Sequence, residues 1–475
     1  MADAARSEEP AARRRALAAL ALAQFVCSFA GSNMNVMIND ISADLDTTVQ
    51  GVQVAITVFL LVMAALMIPG GKLTDRYGRK RCFLTGLVVY AVGALLSAAA
   101  PGLGVLILGN SILEGVGTAL LIPPVYILVT LLYPDLTSRA RAFGIVMALG
   151  GVGAAAGPLI GGLITTGISW RAAFVFQALV VAVVVLLSRR MDDPLPPDPT
   201  RSFDVVGAVL SAAGLLLVVM GILAADNDVW LMIGLLAAGV AVLAWFLRHA
   251  RVTEASGREP LLSLGLFRSR SSNLGLITQN VQWLMLMGTS FTVAAYLQVV
   301  RHYDAIQTGV VFTAATLGLL LTSLSAERLA GRLPQRTLIM SGFLVSIAGT
   351  AVLIALAAAY TTAWAFVPGL LLIGLGLGVM LTPSVNVVQS SFPEERQGEI
   401  SGLSRSVSNL GSSFGTAIAG TILVSGLTKG AYAAALIVLA VAGLGGLAAA
   451  ARLPRQQAPG GADVPRITDT YEGRS

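Results

Sequence analysis

The sequence predicts an all-α polytopic membrane protein of 14 transmembrane helices, built as two six-helix halves with two further helices inserted between them. Three observations predict it: a composition too apolar for water, a series of apolar segments long enough to cross a bilayer, and a pattern of glycines and charges that occurs twice. Of 475 residues, 56% are hydrophobic and 12% charged, with a mean hydropathy of +0.80, whereas a soluble chain carries roughly 25% charged residues. Too little polar surface remains to cover a water-soluble particle. That excludes soluble enzymes, disordered scaffolds and nucleic-acid binders. Two cysteines, Cys27 and Cys82, cannot build a disulfide framework.

A hydrocarbon core is crossed by about 20 mostly apolar residues in a helix. Such segments lie near 17–39, 52–71, 82–100, 103–132, 142–167, 172–188, 205–224, 229–247, 273–300, 306–326, 338–359, 364–392, 398–427 and 431–451; they are numbered here as spans 1 to 14. The longest of them imply tilted or broken helices rather than extra crossings. An even count puts both termini on one side, and with the N-terminus inside, 27 of the 31 Lys and Arg residues fall on the cytoplasmic side. Shifting the count by one span would scramble that asymmetry. Arg13, Arg14 and Arg15 before an apolar run imitate a secretory signal, but the run is too long and too many spans follow, so it reads as an uncleaved first helix.

The resulting organisation is a polar cytoplasmic tail without fixed structure (1–15), an N-terminal six-helix half (16–190), a Pro-rich cytoplasmic linker (191–203), two inserted helices (204–250), a cytoplasmic loop (251–271), a C-terminal six-helix half (272–452) and a second polar tail (453–475). The halves are repeats. Gly71-Lys72-Leu73 recurs as Gly331-Arg332-Leu333, Gly144, Gly153 and Gly157 recur as Gly402, Gly411 and Gly415, and Gly115, Gly117 and Pro124 recur as Gly374, Gly376 and Pro383, at displacements of 258 to 260. Parallel repeats with a site near the midplane of their interface are the architecture of a rocking secondary transporter.

Two motifs carry more than packing. The loop between spans 2 and 3 reads Gly71-x-Leu73-x-Asp75-Arg76-x-Gly78-Arg79-Lys80-Arg81. Gly71 permits close helix approach, Asp75 can complement a helix N-terminus, and the basic cluster suits cytoplasmic headgroups. A plain positive-inside anchor needs neither the Asp nor the glycines. Span 5 carries Gly144, Gly153, Gly157, Pro158, Gly161 and Gly162, which let a helix bend and pack closely; ordinary small-residue packing is the alternative, but the complete spacing favours a more specific motif.

On these residues the chain resembles the major facilitator superfamily, whose signature loop matches Gly71–Arg81, and within it the 14-span drug:proton antiporters, whose antiporter motif matches span 5. The resemblance implies the major facilitator fold, with the loop residues Gly71, Asp75, Arg76, Gly78 and Arg79 as a latch between the halves. The sequence departs from the family at two places. Ala30 stands where span 1 usually carries an Asp, and Ser111 and Glu114 replace the Arg and the Gln of Arg-x-x-Gln-Gly in span 4.

Glu114 is the one carboxylate well inside an apolar span. A charge there costs several kcal/mol, so an intramembrane carboxylate is a functional candidate by default; the alternative is a permanently protonated, hydrogen-bonded Glu. Polar stripes mark the candidate substrate cavity: Ser32, Asn35 and Asn39 with Ser28 in span 1, Gln279, Asn280 and Trp283 beside Met285, Met287 and Phe291 in span 9, Asn386 in span 12, and Arg405 among serines in span 13. Such stripes either face substrate or glue helices together. The chain has no phosphate-binding Gly-x4-Gly-Lys-Ser/Thr loop, no cluster of metal ligands and no nucleophile–base pair; His249 and His302 read as isolated residues near helix ends.

The expected function is therefore non-enzymatic. It is a monomeric, cofactor-free exporter in a bacterial plasma membrane, both termini cytoplasmic, expelling an amphipathic drug, antibiotic or metabolite against protons with Glu114 as carrier. The alternatives are an uncoupled facilitator or flippase of lipid-like substrates, and a sensor or scaffold that no longer transports.

Overall fold

The computed structural model describes residues 2–454 apart from Pro134, Arg190, Asp192, 194–196, 199–201, Asp226, Asn227, Gly331 and 393–396. The C-terminal tail expected at 453–475 therefore lies almost wholly outside the described residues, as does Gly331 of the repeat. Because the bilayer offers no partner for backbone polar groups, each crossing closes its own hydrogen bonds as a helix. Among the described residues thirteen helices are long and apolar enough to cross a membrane, and Arg141–Ala154 with Ala156–Gly167 makes a fourteenth crossing bent by 44°. The bend falls where the Pro158 ring displaces the carbonyl four residues earlier.

The spans follow the predicted order. Span 1 begins as a helix at Ala2–Asn33, tightens to a 3₁₀ turn at Met34–Met37 and ends in Ile38–Asp44. Residues 2–15 are thus part of the first helix, not an unstructured tail, since this stretch is rich in alanine, glutamate and arginine, all strong helix formers. Then come span 2 (Val49–Tyr77), span 3 (Arg79–Ala98), span 4 (Leu103–Leu132), span 5 (Leu136–Gly167), span 6 (Trp170–Ser188), span 7 (Val205–Leu223) and span 8 (Val229–Ala255). Span 9 (Arg270–Val300), span 10 (Ala305–Ala330), span 11 (Gln335–Ala359), span 12 (Ala363–Gln389), span 13 (Gln397–Val424) and span 14 (Lys429–Ala451) complete the chain. Side-chain caps hold several starts: Thr48 accepts from the Gly51 amide, Ser169 from Ala172, Asp204 from Gly207 and Thr428 from Ala431.

The repeat is visible in packing. Gly115 of span 4 lies on Val62 of span 2 and Gly374 of span 12 on Ala315 of span 10, while Gly117 meets Gly86 and Tyr90 of span 3 as Gly376 meets Gly342 and Ser346 of span 11.

The halves meet along two seams. In one, Gln53 of span 2 donates to the Ala417 carbonyl of span 13 at 3.1 Å and Ser413 donates to Thr57 at 3.1 Å. In the other, span 5 presses on span 10, where a Cβ on Gly162 would lie 2.5 Å from the Ala305 carbonyl oxygen. Span 7 lies over the first seam, with Val219 and Leu223 packed among Leu61 of span 2 and Ala417 of span 13. Span 8 packs on the outside of span 7: Gly239 meets Val218, and Leu243 meets Gly214.

Candidate functional site

The loop expected to act as a latch starts from a backbone requirement. Gly78 has φ +97, a conformation that disfavours any side chain, and it ends span 2 and starts span 3 in one residue. Asp75 sits in the last turn of span 2 rather than at a helix N-terminus. There a carboxylate faces the negative end of the helix dipole, and Arg79 across the turn compensates at 3.1 Å. Lys80 donates its amide to Asp193 at 3.1 Å and its ammonium to the Arg189 carbonyl at 3.2 Å, so the loop rests on the linker after span 6. Lys72 reaches Glu259, in the loop after span 8, at 3.8 Å. Arg76 lies 5.6 Å from the Tyr77 ring centre.

In span 5 the motif glycines divide by face. A side chain on Gly153 would collide with the Phe25 carbonyl and one on Gly157 with Ser32, both in span 1; Gly161 abuts Asn33. Gly411 and Gly415 of span 13 press on Asn280 and Leu284 of span 9 in the same manner. The shared spacing therefore packs the fifth helix of each half on its first. What span 5 adds is Pro158 and Gly162, which face Gly309 and Ala305 across the second seam, while Gly144 has no atom near its missing side chain.

The polar candidates separate into three groups. Gln279 is 1% exposed, donates to the Ser384 carbonyl at 3.0 Å and accepts from Ser404 at 2.6 Å; Asn280 donates to the Val407 carbonyl at 3.0 Å. Both hold span 9 to its neighbours within the C-terminal half. Ser32 is likewise buried and donates to the Phe29 carbonyl at 3.2 Å. Asn35 and Asn39 lie at the end opposite the basic loops, where Gln298 of span 9 donates to the Asn35 carbonyl at 2.7 Å and accepts from the Asn39 amide at 3.1 Å. Arg405 lies near the basic-loop end, where it donates to the Tyr126 hydroxyl of span 4. Tyr126 in turn donates to Gln24 at 3.2 Å, and Gln24 to Ser28 at 3.2 Å. A polar chain thus runs from the C-terminal half into spans 4 and 1, with Met147 of span 5 beside the Tyr126 hydroxyl. Trp283 is part-buried and Asn386 exposed, and neither joins these bonds.

Gln24, Tyr126 and Gln298 were not among the sequence candidates. Gln24 continues the stripe of Ser28 and Ser32 one turn earlier and was legible; Tyr126 and Gln298 gain meaning only from partners in the other half. His249 is not isolated either. Its Nε2 lies 2.9 Å from Asp204 Oδ1, tying the end of span 8 to the start of span 7, because Asp204 is held there as a cap.

Glu114 is 0% exposed and closes a π turn, Ile107–Glu114, in span 4. Gly93 of span 3 packs on the Gly109 carbonyl and the Glu114 amide, as Gly349 of span 11 packs on the Gly369 carbonyl and the Ile373 amide. Five residues separate the first pair and four the second, so the π turn adds one residue to span 4 that span 12 lacks, and Ile373 is the counterpart of Glu114. Such turns gather at functional sites. Around Glu114 stand Cys27 of span 1, Tyr90 of span 3 and Thr118 one turn on. Neither carboxyl oxygen meets a donor among the described residues. No group of three metal-ligating side chains occurs among the described residues.

Residues 20–416 and 276–468 match the profile of the Major Facilitator Superfamily. The puromycin resistance protein pur8 of Streptomyces alboniger is 31% identical over 418 residues, covering 86% of this chain and 81% of that one. The probable actinorhodin transporter of Streptomyces coelicolor is 29% identical over 424 residues, covering 87% and 73%. The crystal structure of peptide transporter POT in complex with sulfate superimposes with a TM-score of 0.70 over 92% of this chain and 95% of that one; at 17% identity the likeness is one of fold.

Proposed function

This chain belongs to the Major Facilitator Superfamily and is a multi-pass membrane transporter rather than an enzyme, and we propose that it exports an amphipathic organic compound in exchange for protons, with Glu114 as the proton carrier. Export is supported by the kinship with a puromycin resistance protein and an actinorhodin transporter, and the cytoplasmic placing of both termini by the charge asymmetry of the loops. The two halves rock about the seams of spans 2 and 13 and of spans 5 and 10. The Arg405–Tyr126–Gln24–Ser28 chain opens and closes the basic-loop end, and the Gln298 bonds to Asn35 and Asn39 do the same at the far end. Substrate meets Arg405, Tyr126, Ser28, Trp283 and Asn386 between them.

The observation that carries the coupling is the exchange of Glu114 for Ile373 between otherwise equivalent helix contacts. The same packing works with an apolar side chain, so folding does not require an acid. A buried carboxyl maintained against its desolvation cost, at an inserted π turn, is accounted for by proton carriage. Ser111, where the family has Arg, donates to the Ala55 carbonyl at 2.7 Å and is thereby committed to packing.

The test is efflux of ethidium and puromycin from inverted vesicles with and without a pH gradient, comparing wild type with Glu114→Gln. Gradient-driven flux that the Gln variant loses supports the reading; equal flux in both makes Glu114 structural. Flux indifferent to the gradient in wild type favours an uncoupled facilitator, the second reading, which Ala30 and Ser111 at the family's Asp and Arg positions support.

A further inference from the structure

Tyr90 of span 3 and Gln177 of span 6 are a buried polar pair that the proposed substrate contacts do not include. Both are 0% exposed. Spans 3 and 4 pack closely here, with Tyr90 on Gly117 and the Glu114 amide on Gly93, and the Tyr90 hydroxyl is paired with Gln177 Oε1 of span 6 at 2.5 Å, with the Val26 carbonyl at 3.5 Å. Three buried polar atoms of spans 4 and 6, on either side of Tyr90 in span 3, have no hydrogen-bond partner: both Glu114 oxygens and Gln177 Nε2. Leaving a buried polar group unpaired is costly, most of all a charged one.

We propose that Tyr90 and Gln177 form a hydrogen-bond switch that pairs Glu114 in both of its protonation states; this rests on Glu114 being the proton carrier. With Glu114 protonated, its O–H donates to the Tyr90 oxygen and Tyr90 donates to Gln177 Oε1. When the proton leaves to water, the Gln177 amide turns over, Nε2–H donates to the Tyr90 oxygen, and the Tyr90 O–H turns to the carboxylate. No covalent bond changes except the one that releases the proton from Glu114, and Tyr90 keeps its own.

The residue types fit this task. A hydroxyl both donates and accepts, and an amide is a side-chain end that offers a donor and an acceptor related by a half-turn. A Glu, Met or Leu at 177 cannot serve both states. The other half lacks the device altogether: Ser346 stands in the place of Tyr90 and Ile373 in that of Glu114, on the same glycine contacts. The fold therefore does not need the trio. The remaining titratable or charged groups near Glu114 are Cys27 of span 1 and, beyond it, Arg405 of span 13. The protonation state of a residue in span 4 is thus reported to span 6 through span 3.

The experiment is infrared spectroscopy of the full-length protein in lipid between pH 5 and 9, which needs no substrate. The protonated Glu114 carbonyl band is identified by its absence in Glu114→Gln. In Tyr90→Phe the band moves to higher wavenumber, because the acid has lost its acceptor. In Tyr90→Phe the proton is held roughly tenfold more tightly, about one pH unit in the midpoint, because the carboxylate has lost its donor; in Gln177→Met Tyr90 still donates to the carboxylate but has lost its acceptor in the protonated state, so the proton is held less tightly and the midpoint moves down. If Tyr90→Phe does not fold, Gln177→Met carries the titration test by itself, with the downward shift as its expected result. A band that titrates in wild type and is untouched by both substitutions overturns the switch alone. A band absent in wild type, or persisting at every pH, overturns the proton-carrier reading on which it rests.

Discussion

Arg405 of span 13 donates to the hydroxyl of Tyr126 in span 4, and its guanidinium lies 5.4 Å from the centre of the same ring. One side chain thus makes a charge-assisted hydrogen bond and a cation–π contact across the line where the halves meet. Replacing Arg405 with Ala is expected to lower ethidium efflux roughly tenfold or more, the equivalent of one hydrogen bond to a charged group. Arg405→Lys should fall between, since an ammonium keeps the charge but not the planar fork. Initial rates in inverted vesicles, normalised to protein amount, decide it; an Ala variant at wild-type rate would remove Arg405 from the transport cycle.

Glycines that look alike in sequence should differ in stability. Gly157→Val would drive a side chain into Ser32 and Gly415→Val into the Leu284 carbonyl, whereas Gly144 and Gly402 face open space. The first two substitutions should each destabilise by about 1–3 kcal/mol and the last two by little. The buried thiols of Cys27 and Cys82 are built-in reporters: their exposure to a thiol-reactive dye on heating in detergent gives the melting temperature of each variant.

The Asp204 cap predicts a pH dependence outside the membrane. Burial works to raise this carboxyl, but the Gly207 amide, His249 and the Leu261 amide outweigh it and hold it below the usual carboxylate range. A group depressed in the folded state adds stability above its unfolded value of about 3.9 and gives it up as pH falls through the folded value. Asp204→Ala should therefore melt below wild type at pH 7, by about 1 kcal/mol for the lost cap alone, and the gap should narrow below about pH 4. A gap of constant size between pH 3 and 7 would contradict the assignment.

The orientation is open to direct labelling. In a background with Cys27 and Cys82 replaced, Ser256→Cys in the loop after span 8 should react with a membrane-impermeant maleimide only after permeabilisation of whole cells. Tyr360→Cys, 58% exposed at the end of span 11, should react at once. The reverse pattern would place the termini outside.

Gln298 offers a matching test at the far end. Gln298→Leu removes both bonds to span 1 and should speed labelling of Asn35→Cys from outside several-fold, because one side chain supplies both. Unchanged labelling would mean that this contact does not limit opening.

The sequence by itself determined the number and order of the spans, the repeat and the presence of one carboxylate, Glu114, well inside an apolar span. The reason in each case is local. A bilayer forces about 20 apolar residues per crossing, so the count can be read by length. A carboxylate among Ile112, Leu113 and Val116 is conspicuous wherever it points. The first helix is legible too, except for its start at Ala2, where the polarity of the segment points to a tail and helix propensity prevails.

Only the tertiary structure decided what the polar residues do. Gln279 and Arg405 look equally suited to a cavity in sequence, yet one is enclosed by Ser384 and Ser404 of its own half and the other reaches Tyr126, 279 positions away, in the opposite half. Tyr90 and Gln177 stand 87 positions apart, and nothing in either segment names the other. The π turn before Glu114 is equally silent in sequence, since one extra residue in an apolar helix changes no pattern. It shows only where Gly93 and Gly349 hold two helices against their neighbours and find five residues in one half and four in the other. Apolar burial is set by composition along the chain, whereas a hydrogen bond is set by two side chains meeting, and the fold alone arranges the meeting.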